Sequence, residues 1–251
     1  MNRPRLAIAG LTACFGCQLT LLNCEGELGE LVDRFDFAWF PMANSGQVLV
    51  GEFDASMVEG AVSTQEDLQL LMELRSRSKL LIAFGTCAVW GGIAAMNKGI
   101  DRQGMFTTVY GGDQPLADFP HPEPLRGFVS VDHNIVGCPP EKNELLASLA
   151  GLLYGALPLL PDYPVCVDCR IRENLCLLME GDRLCLGPIT RAGCGARCPA
   201  VAVPCEGCRG PVAEANVAAE IELLLEKGVD RQELISRMRR FCPEWDHGQR
   251  C

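Results

Sequence analysis

The chain has 251 residues, enough for one large domain or for an ordinary domain with an appendage. Hydrophobic residues make up 48% and charged residues 22%, so it can bury a core. A net charge of −10 argues against a nucleic-acid partner, and the apolar start RLAIAGLTA is too short to span a bilayer.

RLAIAGLTA reads as a short β run that leads straight into a cysteine pair, so no removable leader is expected, and the reading is a soluble, cytoplasmic protein. QLTLLNCEGELGELVDRF follows as a helix, with Leu19, Leu22, Leu28, Leu31 and Phe35 at helical spacing. DASMVEGAVS alternates like a strand and ends at Ser63 and Thr64, a helix cap, with Glu66 and Asp67 in the first turn of EDLQLLMELRSRS. KLLIAFGTC is a near-continuous apolar strand of the kind covered on both faces. GFVSVDHNIVGCPP supplies another strand and EKNELLASLAGLLYG another helix. Strands alternating with helices predict a parallel, doubly wound α/β sheet.

ALPLLPDYP breaks the pattern, with Pro158, Pro161 and Pro164 marking a boundary. The expected domains are 1–157 and 158–251. From 165 to about 211, Gly, Pro and Cys dominate, and the stretch has too little apolar content for a core of its own. Residues 213–240 return to helix, broken near Gly228, and their Leu/Ile stripe reads as packing.

Cysteines carry the chemistry. Fifteen is an odd number, and the cytosol keeps thiols reduced, so a disulfide framework is disfavoured. Cys14 and Cys17 follow the first strand, Cys87 ends a second and Cys138 a third. In open α/β sheets the carboxyl ends of strands form sites, so these four can converge. A Cys₄ set suits zinc or a [4Fe–4S] cluster, and spacing leaves that choice open. The late stretch favours clusters. Its eight cysteines divide into Cys166, Cys169, Cys176 and Cys185, then Cys194, Cys198, Cys205 and Cys208. Cys198-Pro199 is a pair typical of iron–sulfur ligands, and two outer C-x-x-C pairs enclosing four more cysteines depart from zinc ribbons. Three clusters in one chain suggest a path for single electrons. No H-E-x-x-H, G-x-S-x-G or P-loop marks a catalyst. His121, His133 and His247 read as loop or surface residues, His133 lying closest in sequence to a cysteine of the first set.

TACFGCQLTLL, EGAVST, AFGTCAVWGG, NIVGCPPE and the stretch YPVCVDCRIRENLC to VPCEGCRGP together resemble the small, electron-transferring subunit of nickel–iron hydrogenases. Within that family the chain looks most like the delta subunit of cytosolic bidirectional NAD(P)-linked hydrogenases, or sulfhydrogenases. The resemblance implies a flavodoxin-like parallel sheet domain followed by a small irregular iron–sulfur domain with C-terminal helices. It implies three [4Fe–4S] clusters. Cys14, Cys17, Cys87 and Cys138 would hold the proximal one, Cys194, Cys198, Cys205 and Cys208 the medial one, and Cys166, Cys169, Cys176 and Cys185 the distal one. Periplasmic relatives have a histidine where this chain has Cys166 and often a proline at Cys198, so a four-iron medial cluster is expected here. The implied partners are a large subunit with the nickel–iron centre, an iron–sulfur subunit and a subunit binding FAD and NAD(P), in a heterotetramer with no membrane or nucleic acid. The chain would not be catalytic alone.

Glu59 stands near a strand end, within range of the proximal site or of a helix terminus. Cys24 reads as a buried thiol, and Cys242 and Cys251 as binding nothing in a polar tail. Two rival readings are an F420-nonreducing hydrogenase subunit feeding a heterodisulfide reductase and a non-catalytic protein with three zinc sites. A quinone-linked small subunit normally carries only the first cluster, which the eight later cysteines oppose.

Overall fold

The computed structural model describes residues 3–111 and 121–245. Its contacts divide the chain into two units, Met1–Pro158 and Leu159–Cys251.

In the first unit β1 (Arg5–Gly10) leads to α1 (Gly16–Leu22), α2 (Glu25–Arg34) and β2 (Asp36–Trp39). The helical run expected after the first strand is therefore two helices. The apolar spacing slips between Leu22 and Leu28, and Cys24 leaves helical geometry at φ −77°, ψ 51° to begin the second helix. β3 (Phe53–Glu59) precedes α3 (Gln65–Arg77), β4 (Ser78–Phe84), α4 (Thr86–Trp90) and α5 (Arg102–Tyr110). β5 is only three residues long (His133–Ile135), and α6 (Lys142–Tyr154) closes the unit.

The sheet order is β2-β1-β3-β4-β5 and every pairing is parallel. That is the flavodoxin-like order, with its reversal between β1 and β3. Leu6, Ile8, Met57, Val58, Leu81 and Ile82 are fully buried, as strands covered on both faces require. The cap expected at Thr64 is a complete capping box: its hydroxyl accepts the Asp67 N–H at 3.1 Å, and the Asp67 carboxylate accepts the Thr64 N–H at 3.2 Å. Thr64→Ala is expected to lower the unfolding free energy by about 1 kcal/mol in a denaturant titration.

The second unit holds α7 (Val165–Ile171), α8 (Val217–Glu226) and α9 (Arg231–Arg239), joined by turns. α8 begins later than residue 213, where Asn216 accepts the Ala219 N–H. The cysteine-rich stretch does have a core. Its Leu186, Ile189 and Ala192 are buried, as are Leu224, Leu234, Met238 and Trp245 of the C-terminal segment. The stripe read as packing thus supplies what the loops lack. Trp245 seats directly on Gly207, where a Cβ would meet its ring at 2.7 Å. Cys242 belongs to this core and not to a polar tail: it is fully buried and disulfide-bonded. Cys251 and His247 lie outside the described residues.

Among the described residues, no helix is long and apolar enough to cross a membrane.

Candidate electron-transfer sites

The first site lies at the carboxyl ends of the strands. β1 delivers Cys14 and Cys17, β4 delivers Cys87 and β5 delivers Cys138. Burial pushes the Cys17 thiol far up, and the Glu59 carboxylate adds to this, followed by Cys87, Cys138 and Cys14. The sulfurs of Cys14, Cys87 and Cys138 therefore all lie within electrostatic range of Cys17. Cys87 is also pushed up, by burial first.

Two glycines shape this site. Gly85 has φ +92°, and a Cβ there would lie 2.3 Å from the Cys17 sulfur. At Gly92 a Cβ would lie 2.8 Å from the Cys87 sulfur. The loops after β4 and β5 are tied together, since Thr86 N–H donates to the Gly137 carbonyl and Gly137 N–H to the Thr86 hydroxyl. The peptide between Cys138 and Pro139 is cis.

Glu59 ends β3 and is 1% exposed. Its two oxygens accept the N–H groups of Cys17 (3.3 Å) and Gln18 (3.0 Å), which lack partners in the first turn of α1. Of its two expected roles, the helix-terminal one is made directly. Gln18 escaped the sequence reading. It is buried at 1%, and its Nε2 has no hydrogen-bond partner among the described residues. Cys24 is the buried thiol expected, donating to the Thr20 carbonyl. His133 turns to α6, where Nε2 meets the Ser148 hydroxyl at 3.2 Å.

In the second unit, Cys166, Cys169, Cys176 and Cys185 line a cavity of about 720 Å³. Burial raises the Cys166 thiol to about 12, with Cys185, Cys169, Cys176 and Glu220 adding to it in that order. The sulfurs of Cys166 and Cys185 both lie within 3.5 Å of the point a Gly187 Cβ would occupy. Asn174 Nδ2 approaches the Cys169 sulfur at 3.6 Å. Cys205 is buried and its thiol is pushed well up by burial, with the nearby Cys185 and Cys208 adding to it. Cys194 sits half-buried between Gly193 and Gly195, and Cys198 is exposed at the start of a short turn, Pro199–Val201.

Glu220 of α8 was hidden in the apolar stripe, one turn before buried Leu224. It lines the same cavity, its Oε1 has no partner among the described residues, and burial lifts its carboxyl to about 7. With the folded carboxyl raised above its unfolded value, stability is full below the ordinary carboxylate range. It is lost as pH rises from about 4.5 to 7. Glu220→Gln is expected to remove that loss, so the gap in melting temperature between wild type and variant should widen from pH 4 to pH 8.

Thirteen thiols, from Cys14 to Cys208, form no disulfide. Among the described residues no group of three or more His, Cys, Asp or Glu closes tightly enough to hold a metal ion as it stands. The ligands of an iron–sulfur cube stand farther apart than those of one ion, because the inorganic core lies between them. The donor sets fit such a group. Each is all-cysteine, and the buried thiols repel one another as thiolates, so a cationic core is what would stabilise them. The cradles at Gly85, Gly92 and Gly187 leave room at the sulfurs that a Cβ would take.

Residues 14–152 match the family described as NADH ubiquinone oxidoreductase, 20 kDa subunit. Sulfhydrogenase 2 subunit delta of Pyrococcus furiosus is 38% identical over 237 residues, covering 94% of this chain and 98% of that one. The chain belongs to the hydrogenase small-subunit family. This small subunit is also 32% identical to a vhu subunit of the F420-non-reducing hydrogenase of Methanocaldococcus jannaschii, covering 82% of this chain and 81% of that one. A chain of a solved NAD+-reducing [NiFe]-hydrogenase superposes with a TM-score of 0.57 at 28% identity, covering 64% of this chain and 96% of that one. The small subunit is thus an electron-transfer subunit of an oxidoreductase.

Proposed function

We propose that this chain relays electrons one at a time from the nickel–iron centre of its large subunit, through three [4Fe–4S] clusters, towards an iron–sulfur and flavin module that reduces NAD(P)+. When bound, the clusters supply one-electron carriers whose potentials the protein tunes by burial and hydrogen bonding. Residues 1–157 would carry the proximal cluster on Cys14, Cys17, Cys87 and Cys138. Residues 158–251 would carry the medial cluster on Cys194, Cys198, Cys205 and Cys208, and the distal one on Cys166, Cys169, Cys176 and Cys185. The assembly would be a cytoplasmic heterotetramer.

The observation that carries this reading is the gathering of Cys14, Cys87 and Cys138 around the buried Cys17 at the strand ends, together with the second four-cysteine cavity. Glu59 holds α1 so that the Cys17 sulfur faces Gly85. The NAD(P)-linked assignment is supported by the likeness to the delta subunit of a sulfhydrogenase and to a chain of an NAD+-reducing enzyme. The likeness to an F420-non-reducing hydrogenase keeps a second acceptor in play, a heterodisulfide reductase.

The test is iron and acid-labile sulfide per chain in the anaerobically purified complex, with electron paramagnetic resonance after dithionite reduction. About twelve of each, from three four-iron clusters, with interacting signals, supports the relay. Zinc without sulfide overturns it. A flavin subunit co-purifying with the complex separates the NAD(P) acceptor from the heterodisulfide one.

A further inference from the structure

Helix α9 and the segment after it seat on the loop between Cys205 and Cys208. The two residues inside that C-x-x-C are each held by a different group. Glu206 accepts Arg237 Nη1 through Oε1 at 2.9 Å and Arg240 Nη1 through Oε2 at 2.7 Å. Gly207 has φ +80°, and a Cβ there would lie 2.7 Å from the Trp245 ring. Arg237 is oriented from its other side as well, since its Nη2 donates at 2.9 Å to Glu233, four residues earlier in the helix.

Sequence and packing fix this arrangement. Asp230 caps α9 by accepting the N–H groups of Gln232 and Glu233, both at 2.9 Å. Leu234 and Met238, one turn apart, are buried, and so are Cys242 and Trp245 beyond the helix. Arg237 and Arg240 stand at the C-terminal end of α9, where the helix dipole favours cations. Ion pairs between side chains 28–40% exposed add little to folding stability. Their charges matter for another reason. The chain sets Glu206 between the ligands Cys205 and Cys208, and partly buried charges are screened less than those in open water.

We propose that Glu206 is a positioning residue for the cluster held by Cys194, Cys198, Cys205 and Cys208: held by Arg237 and Arg240, it fixes the Cys205–Cys208 loop, and the charge balance of this group sets that cluster's reduction potential. This rests on the cluster assignment of the preceding section. Glu206 and Glu233 carry two negative charges and Arg237 and Arg240 two positive ones, so the hydrogen-bonded group is neutral as a whole. Reduction adds an electron to the core, so a net charge nearby moves the potential in the direction of its own sign. Neutralising Glu206 leaves a net cation, which stabilises the reduced form. Neutralising Arg237 leaves a net anion, which stabilises the oxidised form. Loss of the grip alone would carry no such sign.

The test is a redox titration of the intact complex followed by electron paramagnetic resonance, on wild type, E206Q, R237Q, R237K and the double variant E206Q/R237Q. E206Q is expected to raise one cluster's midpoint and R237Q to lower the same one. Each should shift the reduced-to-oxidised ratio at fixed potential on the order of tenfold, which is about 59 mV for one electron. The double variant is neutral again and should return to the wild-type midpoint, as should R237K, with the other midpoints and the iron content unchanged. Shifts of the same sign in E206Q and R237Q, or no shift at full iron, overturn the inference. A double variant that departs as far as the single ones also overturns it. If E206Q or R237Q fails to load iron, R240Q against R240K decides, and equal midpoints in those two overturn it. Wild-type complex without iron would instead overturn the cluster assignment itself.

Discussion

Gly85→Ala is expected to remove about four irons from each chain, one four-iron cluster, while leaving the fold of the sheet in place. Gly85 follows β4 at φ +92°, ψ 164°, a backbone region that is essentially closed to residues with a side chain. Such strain alone costs on the order of 1–3 kcal/mol. The added methyl would also lie 2.3 Å from the Cys17 sulfur. That sulfur cannot simply retreat. Cys17 donates its N–H to Glu59, Glu59 ends the central strand β3, and α1 begins at this point. Either the glycine loop or the ligand must leave its place, and the four-cysteine set is broken. Hydrogen-dependent reduction of the acceptor should fall on the order of a hundredfold, as for other groups displaced by about an ångström. The clusters of the second unit should keep their signals. Iron analysis and hydrogen-linked NAD(P)H formation on the same preparation check this, and a full iron count with normal turnover would contradict the proximal assignment.

Replacing Cys185 should do more damage than replacing Cys169, although both belong to one set. The Cys185 sulfur accepts the Cys205 N–H at 3.3 Å, and Leu186 N–H returns a bond to the Cys205 carbonyl at 2.9 Å. Ligand loops of the two sets are therefore laced together through residues 185–186 and 205. Gly187 extends this lacing, with both the Cys185 sulfur and the Cys205 Cβ within 3.8 Å of its open face. The Cys169 sulfur is approached by the Asn174 side chain from its own loop. Cys185→Ser is thus expected to remove about eight irons, two clusters, and to destabilise the second unit, because metal binding and folding are one equilibrium in such loops. Cys169→Ser should remove only about four. Equal losses in the two variants would mean that the lacing carries no coupling. Thermal unfolding should follow the same order as iron content.

These expectations use features that differ in how far the sequence reveals them. The α/β class is legible, because apolar runs such as KLLIAFG and the cap at Thr64 are local signals. The strand-end position of Cys14, Cys17, Cys87 and Cys138 is legible too, because Gly and Pro neighbours and C-x-x-C spacing are local signals. The split between α1 and α2 is harder, since a six-residue gap between leucines reads as drift within one helix. β2 and α4 leave no signal strong enough to separate them from loops, and α7 is masked by the cysteines it carries. Glu59 stands out at its strand end, yet its partners do not. Its bonds to Cys17 and Gln18 span 42 and 41 residues, beyond the reach of any local pattern.

By itself, the sequence determined the alternation of strands and helices and the strand-end placement of the first four cysteines. Periodicity, turn chemistry and ligand spacing act over a few residues, so they are written locally. Tertiary structure alone decided the sheet order, the closeness of Cys17 to Gly85 and the burial of Glu220. Each of these depends on groups brought together from distant parts of the chain, where packing and the need to satisfy buried polar atoms choose the partner.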